Sequence, residues 1–130
     1  MNSIFGIGTD IVDISRIKIL LNKNKKLINR VFSLKEIKYC ESRSNKIASY
    51  SKRFAAKEAF AKALGIGFRN NLNFKDIEII NDKMGKPYYS KTDKIKKVVQ
   101  KNFKVKKFNC FLSISDEKEY STAFTIIQSI

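Results

Sequence analysis

The chain has 130 residues, with 27 Lys or Arg, 12 Asp or Glu and no His, so its formal net charge is +15. This length suits a single domain with one hydrophobic core, which we expect residues 1–130 to form. The chain lacks both an apolar run of the roughly 18 residues that cross a membrane and the start of a signal peptide. Cys40 and Cys110 lie far apart and no His accompanies them, which argues against a zinc site or a disulfide framework and favours a reducing cytoplasm.

The positive charge indicates a polyanionic partner but does not choose among the candidates. Only five of the 27 basic residues are Arg, and the chain is also rich in Ile and Asn. A general composition bias therefore accounts for part of the Lys content. Nucleic acid, a phosphorylated cofactor and an acidic protein are all attracted by a field of this sign.

The first predicted element is a buried strand over 4–14. Its alternation places Gly6, Gly8 and Asp10 on one face, where Asp10 is the only charge. Glycines within a strand often mark the close approach of another backbone. We therefore expect Asp10 to lie beside another element of the fold.

Two shorter helices are predicted next. The first covers 13–21 and is followed by a polar break at 22–26. Ser33 with Glu36 three residues later is a capping box, which predicts that a second helix begins there and runs over 34–42.

The longest predicted helix covers 47–64 and ends at Gly65. Glu58 and Lys62 lie one turn apart on it and therefore project from the same face. An exposed ion pair is one interpretation of this spacing. The other is a carboxylate packed close to a neighbouring element, which then needs a partner because burying an unpaired charge is costly. The small and apolar neighbours that favour this second interpretation are Phe54, Ala55, Ala59 and Ala61.

The second half of the chain is predicted to consist of short strands and one helix, connected by loops and turns. In order, they are a loop over 68–75, a hairpin over 76–90 with its turn at 81–86, a helix over 91–103 and two strands over 108–115 and 120–128. The order β-α-α-α-β-β-α-β-β predicts an α+β fold with a mainly antiparallel sheet packed against the long central helix.

A phosphate site with a metal is the chemistry that these elements favour. Asp10 and Glu58 can meet if the first strand packs on the long helix, and two carboxylates completed by water suit Mg²⁺. Lys62 would then reach a phosphate, and the Gly-Lys-Pro segment at 85–87 offers a tight backbone approach with another cation. Ser113 adds a hydroxyl donor on the first of the two C-terminal strands.

Four segments carry a resemblance to a known family. They are GIGTDIVDISRI at 6–17, RFAAKEAFAKALGIG at 53–67, DIEI followed by GKP within 76–87, and LSISDEKEYSTAF at 112–124. In this order and at these spacings they resemble the holo-acyl-carrier-protein synthases, the small 4′-phosphopantetheinyl transferases, over nearly the whole chain.

This resemblance implies a cytoplasmic, Mg²⁺-dependent enzyme of fatty acid biosynthesis. Such an enzyme transfers 4′-phosphopantetheine from coenzyme A to a serine of apo-acyl carrier protein and releases adenosine 3′,5′-bisphosphate. The resemblance also implies a homotrimer with active sites at the subunit boundaries, and partners that include neither a membrane nor nucleic acid.

The resemblance gives each motif position an expected role. Asp10 and Glu58 match the metal-binding carboxylates, and Arg16 matches a basic residue of the surface that docks the carrier protein. That docking surface would steer an acidic carrier protein electrostatically. The positions expected to contact coenzyme A are Arg53, Lys62, Gly85, Lys86, Pro87 and Ser113.

The chain departs from the family pattern at one place. Where the family usually reads Ser-x-Ser/Thr-His, this chain has Asp116 at the last position. Asp116 is a candidate proton acceptor or ligand of metal or water, and it is equally a candidate turn cap. The expected catalytic residues are therefore Glu58, Lys62 and Asp116, with either Glu58 or Asp116 as the general base.

A basic nucleic-acid-binding domain without catalytic activity is the alternative. The charge favours it, because Lys and Arg supply most of the affinity for phosphates. The absence of Trp and of a strand with alternating aromatic and basic residues argues against it, as do Asp10 and Glu58. A structural protein with a buried Glu58–Lys62 ion pair is a third interpretation.

Overall fold

In the computed structural model, which describes residues 2–68 and 72–130, strands and helices alternate along the chain. The strands are β1 (Ile4–Asp13), β2 (Ile79–Asn81), β3 (Pro87–Tyr89), β4 (Phe108–Asp116) and β5 (Tyr120–Ser129). The helices are α1 (Ile14–Lys23), α2 (Lys26–Val31), α3 (Leu34–Glu41), α4 (Lys46–Leu64) and α5 (Asp93–Phe103). None of these helices combines the length and hydrophobicity that a membrane crossing requires.

The strands form an antiparallel sheet in the order β1-β5-β4 and a separate antiparallel hairpin of β2 and β3. The long helix α4 packs on the sheet through both β1 and β5. The predicted α+β class, with an antiparallel sheet against a long central helix, is confirmed. The capping box is confirmed as well, since Ser33 and Glu36 exchange hydrogen bonds at the start of α3.

Helix α2 differs from the prediction, which has no helix between 22 and 33. The helix lacks a side-chain cap at its start, so it carries no capping signal in the sequence. Its apolar residues pack into the core: Val31 is buried, and Leu27 and Ile28 are partly buried. Tertiary packing therefore forms a helix that local propensity does not indicate.

The segment before the hairpin also differs. Phe74–Asp76 is a 3₁₀-helix, in which the Asp76 carboxylate accepts a hydrogen bond from the Asn73 backbone N–H at 2.9 Å. Strand β2 consequently begins at Ile79 rather than at Asp76. Residues 69–71 of the predicted loop lie outside the described residues.

The glycines of β1 allow α4 to lie directly on the strand. A Cβ added to Gly6 would lie 1.8 Å from the Ala63 carbonyl oxygen, and one added to Gly8 would lie 1.8 Å from that of Ala59. Asp10 follows on the same face of β1. The predicted close approach of another backbone is therefore made by α4.

We expect Gly8→Ala to lower the free energy of unfolding by at least about 3 kcal/mol, because strand and helix backbones must separate to admit the methyl group. Denaturant unfolding measures this change. Thr9→Ala, on the exposed face of the same strand, is the control and should cost less than about 1 kcal/mol. Equal stabilities of the two variants would contradict the close packing.

The opposite face of the β1-β5-β4 sheet carries exposed apolar side chains. The strand register aligns Ile7 and Phe111 with Ile126 of the central strand, so the apolar surface crosses all three strands. Exposed large residues of this face include Ile7 (60%), Ile11 (64%), Phe111 (49%) and Phe124 (43%).

Candidate functional site

Asp10, Glu58 and Lys62 form a first cluster where β1 crosses α4. The Lys62 ammonium donates a hydrogen bond to Asp10 Oδ1 at 3.1 Å. The Asp10 side chain is mostly covered, at 15% exposure, whereas the Lys62 side chain is 55% exposed. Lys62 thus pairs with Asp10 across two elements, whereas the third interpretation of the sequence paired it with Glu58.

Glu58 lies near enough to Asp10 for the two carboxylates to repel each other. Burial raises the pKa of Glu58 above its usual range, the Asp10 charge raises it further, and the Lys62 charge opposes both. Two carboxylates and one ammonium leave the cluster with an excess negative charge. A cation would relieve the repulsion between the carboxylates.

The donor set of this cluster fits Mg²⁺. The ion commonly takes one or two protein carboxylates and completes its octahedron with water and substrate phosphates. Within 2–68 and 72–130, no group of three or more His, Cys, Asp or Glu side chains is placed to hold a metal. Asp10 and Glu58 would therefore leave most of the coordination sphere to water and substrate.

The raised pKa of Glu58 leads to a pH-dependent prediction. Because the folded state holds the Glu58 proton more tightly than the unfolded chain, stability falls as the pH rises from the unfolded to the folded pKa. In chelator at pH 7, Glu58→Gln should therefore melt at a higher temperature than the wild type. Melting curves should show the difference shrinking as the pH is lowered toward about 4. A lower melting temperature for Glu58→Gln at pH 7 would contradict the burial of this charge.

A second cluster surrounds a cavity of about 470 Å³. The cavity is lined by Arg53, Gly85, Pro87 and Asp116, all of which are predicted site residues. Arg53 precedes Glu58 by five positions, which rotates it by about 140° around α4. The cavity and the carboxylate cluster consequently lie on different sides of the helix.

Arg53 is part of the cavity floor rather than a free side chain. It is 3% exposed, and its guanidinium carbon lies 4.2 Å from the centre of the Tyr39 ring. Its Nη2 donates a hydrogen bond to Asn81 Oδ1, and its Nε lies 4.0 Å from Glu36 Oε2. That Nε has no hydrogen-bond partner among the described residues. Several contacts thus fix the orientation of this buried positive charge.

The cavity is also lined by two cations that the sequence patterns do not identify. Arg43 and Lys52 lie on its wall, and the Arg43 guanidinium carbon is 5.4 Å from the centre of the Tyr39 ring. Together with Arg53 they outweigh the single carboxylate of Asp116 among the described lining residues. An anionic ligand is therefore favoured. The signal that could have identified Lys52 is its position immediately before Arg53, the first residue of the motif at 53–67.

Asp82 stabilises the turn between β2 and β3. The sequence patterns predict no role for this residue. Its carboxylate accepts hydrogen bonds from the backbone N–H groups of Met84 and Lys86, each at 2.9 Å. Gly85 adopts a φ of +86°, which disfavours residues with a side chain. The Lys86 side chain is exposed, whereas Gly85 and Pro87 line the cavity.

Ser113 does not join the cavity residues within one chain. It alternates along β4 with Ile114, which lines the cavity, so Ser113 projects from the opposite face. There it lies opposite Phe124 of β5, and both residues are exposed. Ser113 therefore lies outside this cavity, and its contact with coenzyme A stays a prediction.

Asp116 belongs to the cavity and not to the carboxylate cluster. Asp10 lies opposite Ala123 of the central strand β5. Asp116, on the other side of β5, lies opposite Ser121. Two strand spacings and a two-residue offset place the Cα atoms of Asp10 and Asp116 about 12 Å apart. The two carboxylates of one chain are thus too distant to share one ion.

Comparisons with known proteins agree over nearly the whole chain. The family model of the 4′-phosphopantetheinyl transferase superfamily matches residues 6–125. The chain is 62% identical over 125 residues to the holo-[acyl-carrier-protein] synthase of Pelagibacter ubique (strain HTCC1062), covering 96% of this chain and 97% of the relative.

Solved protein structures also match this chain. The crystal structure of holo-[acyl-carrier-protein] synthase from Neisseria meningitidis has a TM-score of 0.85 and 35% identity, covering 96% of this chain and 98% of that chain. The corresponding synthase from Bacillus anthracis str. Ames, in complex with CoA (3′,5′-ADP), has a TM-score of 0.80 and 31% identity, covering 98% of each chain.

Proposed function

The chain belongs to the 4′-phosphopantetheinyl transferase superfamily and is a phosphopantetheinyl transferase, and from this premise we propose its complete reaction. It transfers 4′-phosphopantetheine from coenzyme A to a serine of apo-acyl carrier protein, in the cytoplasm and in support of fatty acid biosynthesis. The reaction depends on Mg²⁺ and releases adenosine 3′,5′-bisphosphate. The observation that carries this proposal is the pair of repelling carboxylates, Asp10 and Glu58, with Lys62 beside them.

Asp10 and Glu58 would hold the metal. When bound, Mg²⁺ neutralises phosphate charge and stabilises the negative charge that develops on the leaving group. Lys62 is half exposed and anchored to Asp10, so its ammonium is placed to bind a phosphate oxygen beside the carboxylates. Fixed cations of this kind orient the pyrophosphate for attack in line with the leaving group.

Glu58 is the proposed general base. In the reaction the serine oxygen forms a bond to the β-phosphorus of coenzyme A, and the bond from that phosphorus to the bridging oxygen breaks. The serine proton would pass to the Glu58 carboxylate, which lies beside Asp10 and Lys62 at the proposed phosphate site. Adenosine 3′,5′-bisphosphate leaves with the bridging oxygen. Within one chain, the Cα atoms of Asp116 and Asp10 are about 12 Å apart, so Asp116 is the less suitable acceptor there.

The cavity with Arg43, Lys52 and Arg53 is the proposed site of the adenosine 3′,5′-bisphosphate portion of coenzyme A. Its net positive lining suits a ligand with several phosphate charges. Its volume of about 470 Å³ lies within the usual range for a small-molecule site. Gly85 and Pro87 would contribute backbone contact without bulky side chains.

We propose that the enzyme is a homotrimer in which one copy supplies the carboxylate cluster and the next supplies the cavity. Two features support this arrangement. The clusters lie on different sides of α4, and a closed trimer with head-to-tail interfaces brings such different surfaces together. The uncovered apolar face of the β1-β5-β4 sheet, which includes Ile7, Phe111 and Phe124, is the surface that the copies would bury.

Mixed trimers test this shared site. Asp10→Asn disables the carboxylate cluster, and the double variant Arg43→Ala/Lys52→Ala disables the cavity. Each variant alone should be nearly inactive. After the two are unfolded and refolded together, about one quarter of the wild-type rate should return, because one interface in four unites two intact halves. Simple mixing of folded variants is the control. No recovery after joint refolding would show that each chain contains its own complete site.

The acyl carrier protein is the proposed macromolecular partner. Arg16 and Lys18 are exposed on α1, where they can attract an acidic protein and raise its association rate. Nucleic-acid binding, the alternative based on charge, is not supported by the comparisons.

Asp116→His tests the role of the residue that departs from the family pattern. If Asp116 accepts a proton or holds a water molecule, His should keep transfer within about threefold of the wild type or raise it, while Ala should lower it at least about tenfold. Initial rates with coenzyme A and apo-carrier protein give both comparisons. Equal rates for His, Ala and wild type would leave Asp116 as a turn residue without a part in transfer.

A further inference from the structure

The amide of Asn81 ties the β2–β3 turn to the floor of the cavity. Its Oδ1 accepts a hydrogen bond from the Arg53 guanidinium, and its Nδ2 donates one to the Gly85 carbonyl oxygen at 3.0 Å. Arg only donates and a carbonyl only accepts, so these two partners together determine the orientation of the amide. Asn81 is thus the direct link between α4 and the turn that carries Gly85.

A buried network behind Arg53 keeps both ends of this link in place. The Glu36 carboxylate accepts hydrogen bonds from the Lys57 ammonium at 2.7 Å and from the Ile79 backbone N–H at 3.2 Å. Lys57 and Arg53 lie one turn apart on α4, while Ile79 begins the strand that contains Asn81. Helix α4 and strand β2 are therefore both fastened to one carboxylate, which is 1% exposed.

Among the described residues, the other hydrogen bonds of the turn at 82–86 are internal to it. Its internal hydrogen bonds run to Asp82, and the side chains of Lys83, Met84 and Lys86 are exposed. These internal bonds shape the turn but do not determine its distance from α4. The Arg53–Asn81–Gly85 chain of hydrogen bonds does so directly, and it lines the cavity.

We infer that Asn81 is a positioning residue for coenzyme A, because it holds the Gly85 turn at the distance from Arg53 that the adenosine 3′,5′-bisphosphate portion requires. The inference rests on the proposed function, in which the cavity holds this portion. The side-chain hydrogen bonds of Asn81 run to Arg53 and Gly85 of the cavity, whereas the carboxylate cluster beside that cavity would come from the neighbouring copy. We therefore expect Asn81 to affect the binding of coenzyme A rather than the chemical step.

Two substitutions separate this role from a structural one. Asn81→Ala removes both hydrogen bonds, and Asn81→Leu removes them while filling the space with a side chain of similar size. We expect each to raise KM and the calorimetric Kd for coenzyme A by about tenfold, as the loss of about 1.4 kcal/mol of hydrogen bonding predicts. The kcat and the KM for the carrier protein should stay within about twofold of the wild type.

Asn102→Ala is the matched control. Asn102 Nδ2 donates to the Leu64 carbonyl oxygen at 2.8 Å, so this variant also loses a hydrogen bond from a side chain to a carbonyl, away from the cavity. It should lower the melting temperature without changing either KM.

Two results would overturn the inference. One is a Kd for coenzyme A within twofold of the wild type in both folded Asn81 variants. The other is a fall in kcat that accounts for the whole fall in kcat/KM. If the wild type neither binds coenzyme A nor modifies the carrier protein, the proposed function itself fails, and this appears before any variant is compared.

Discussion

Asp10→Asn should reduce phosphopantetheine transfer at least about a hundredfold while the protein stays folded. The substitution removes one of the two carboxylates that would hold the metal and also the partner of the Lys62 ammonium. It introduces no steric conflict, because Asn and Asp have nearly the same shape. Initial rates at saturating Mg²⁺ measure the effect, and circular dichroism with melting curves checks the fold.

Asp93→Asn is the matched control for the loss of one negative charge. Asp93 lies exposed in the first turn of α5, away from both clusters. This control should keep a nearly normal rate and lose at most about 1 kcal/mol of stability, through its weaker interaction with the helix dipole. Near-normal transfer by Asp10→Asn would contradict the metal assignment.

Lys57→Met should lower the free energy of unfolding by about 3 to 5 kcal/mol, because it leaves the buried Glu36 carboxylate without its closest cation. The Lys57 ammonium is fully buried and donates hydrogen bonds to Glu36 and to the carbonyl oxygens of Phe74 and Ile77. Burial lowers the pKa of Lys57, and the Glu36 charge opposes that shift. Denaturant unfolding at constant pH measures the loss.

Lys46→Met provides the comparison at the surface. Lys46 pairs with Glu41 at 3.3 Å, and about half of each side chain is exposed. An exposed pair of this kind contributes at most about 1 kcal/mol, so the two Met variants should differ several-fold in their cost. Similar costs would mean that the Glu36–Lys57 pair is no more important than a surface contact.

Local patterns in the sequence were sufficient to predict the parts of the fold that depend on local chemistry. The capping box at Ser33 identified the start of α3, and Gly6 and Gly8 indicated the contact that α4 makes with β1. Helix α2 lacks a side-chain cap and depends on packing that one sequence does not reveal. The 3₁₀-helix at Phe74–Asp76 is too short for a periodic signal, and its Asn73–Asp76 capping pair was not used in the prediction.

The sequence predicts the individual residues of the candidate site better than it predicts how those residues are arranged in space. Asp10, Glu58 and Lys62 do lie together in the structure, as the strand and helix patterns implied. The division into two clusters depends on the side of α4 that each residue occupies after folding. The sequence identifies Glu36 only as part of a helix cap. It does not identify Lys57, because in a Lys-rich chain no sequence pattern distinguishes a buried lysine from an exposed one.

The intact mass of apo-acyl carrier protein after incubation with this protein and coenzyme A tests the proposed transfer most directly. With the wild-type enzyme and Mg²⁺, we expect the carrier mass to increase by one 4′-phosphopantetheinyl group. The increase should disappear in excess chelator and in Asp10→Asn, and it should return for the wild type when Mg²⁺ is restored. An unchanged carrier mass with folded wild-type protein, coenzyme A and Mg²⁺ would contradict the proposed function.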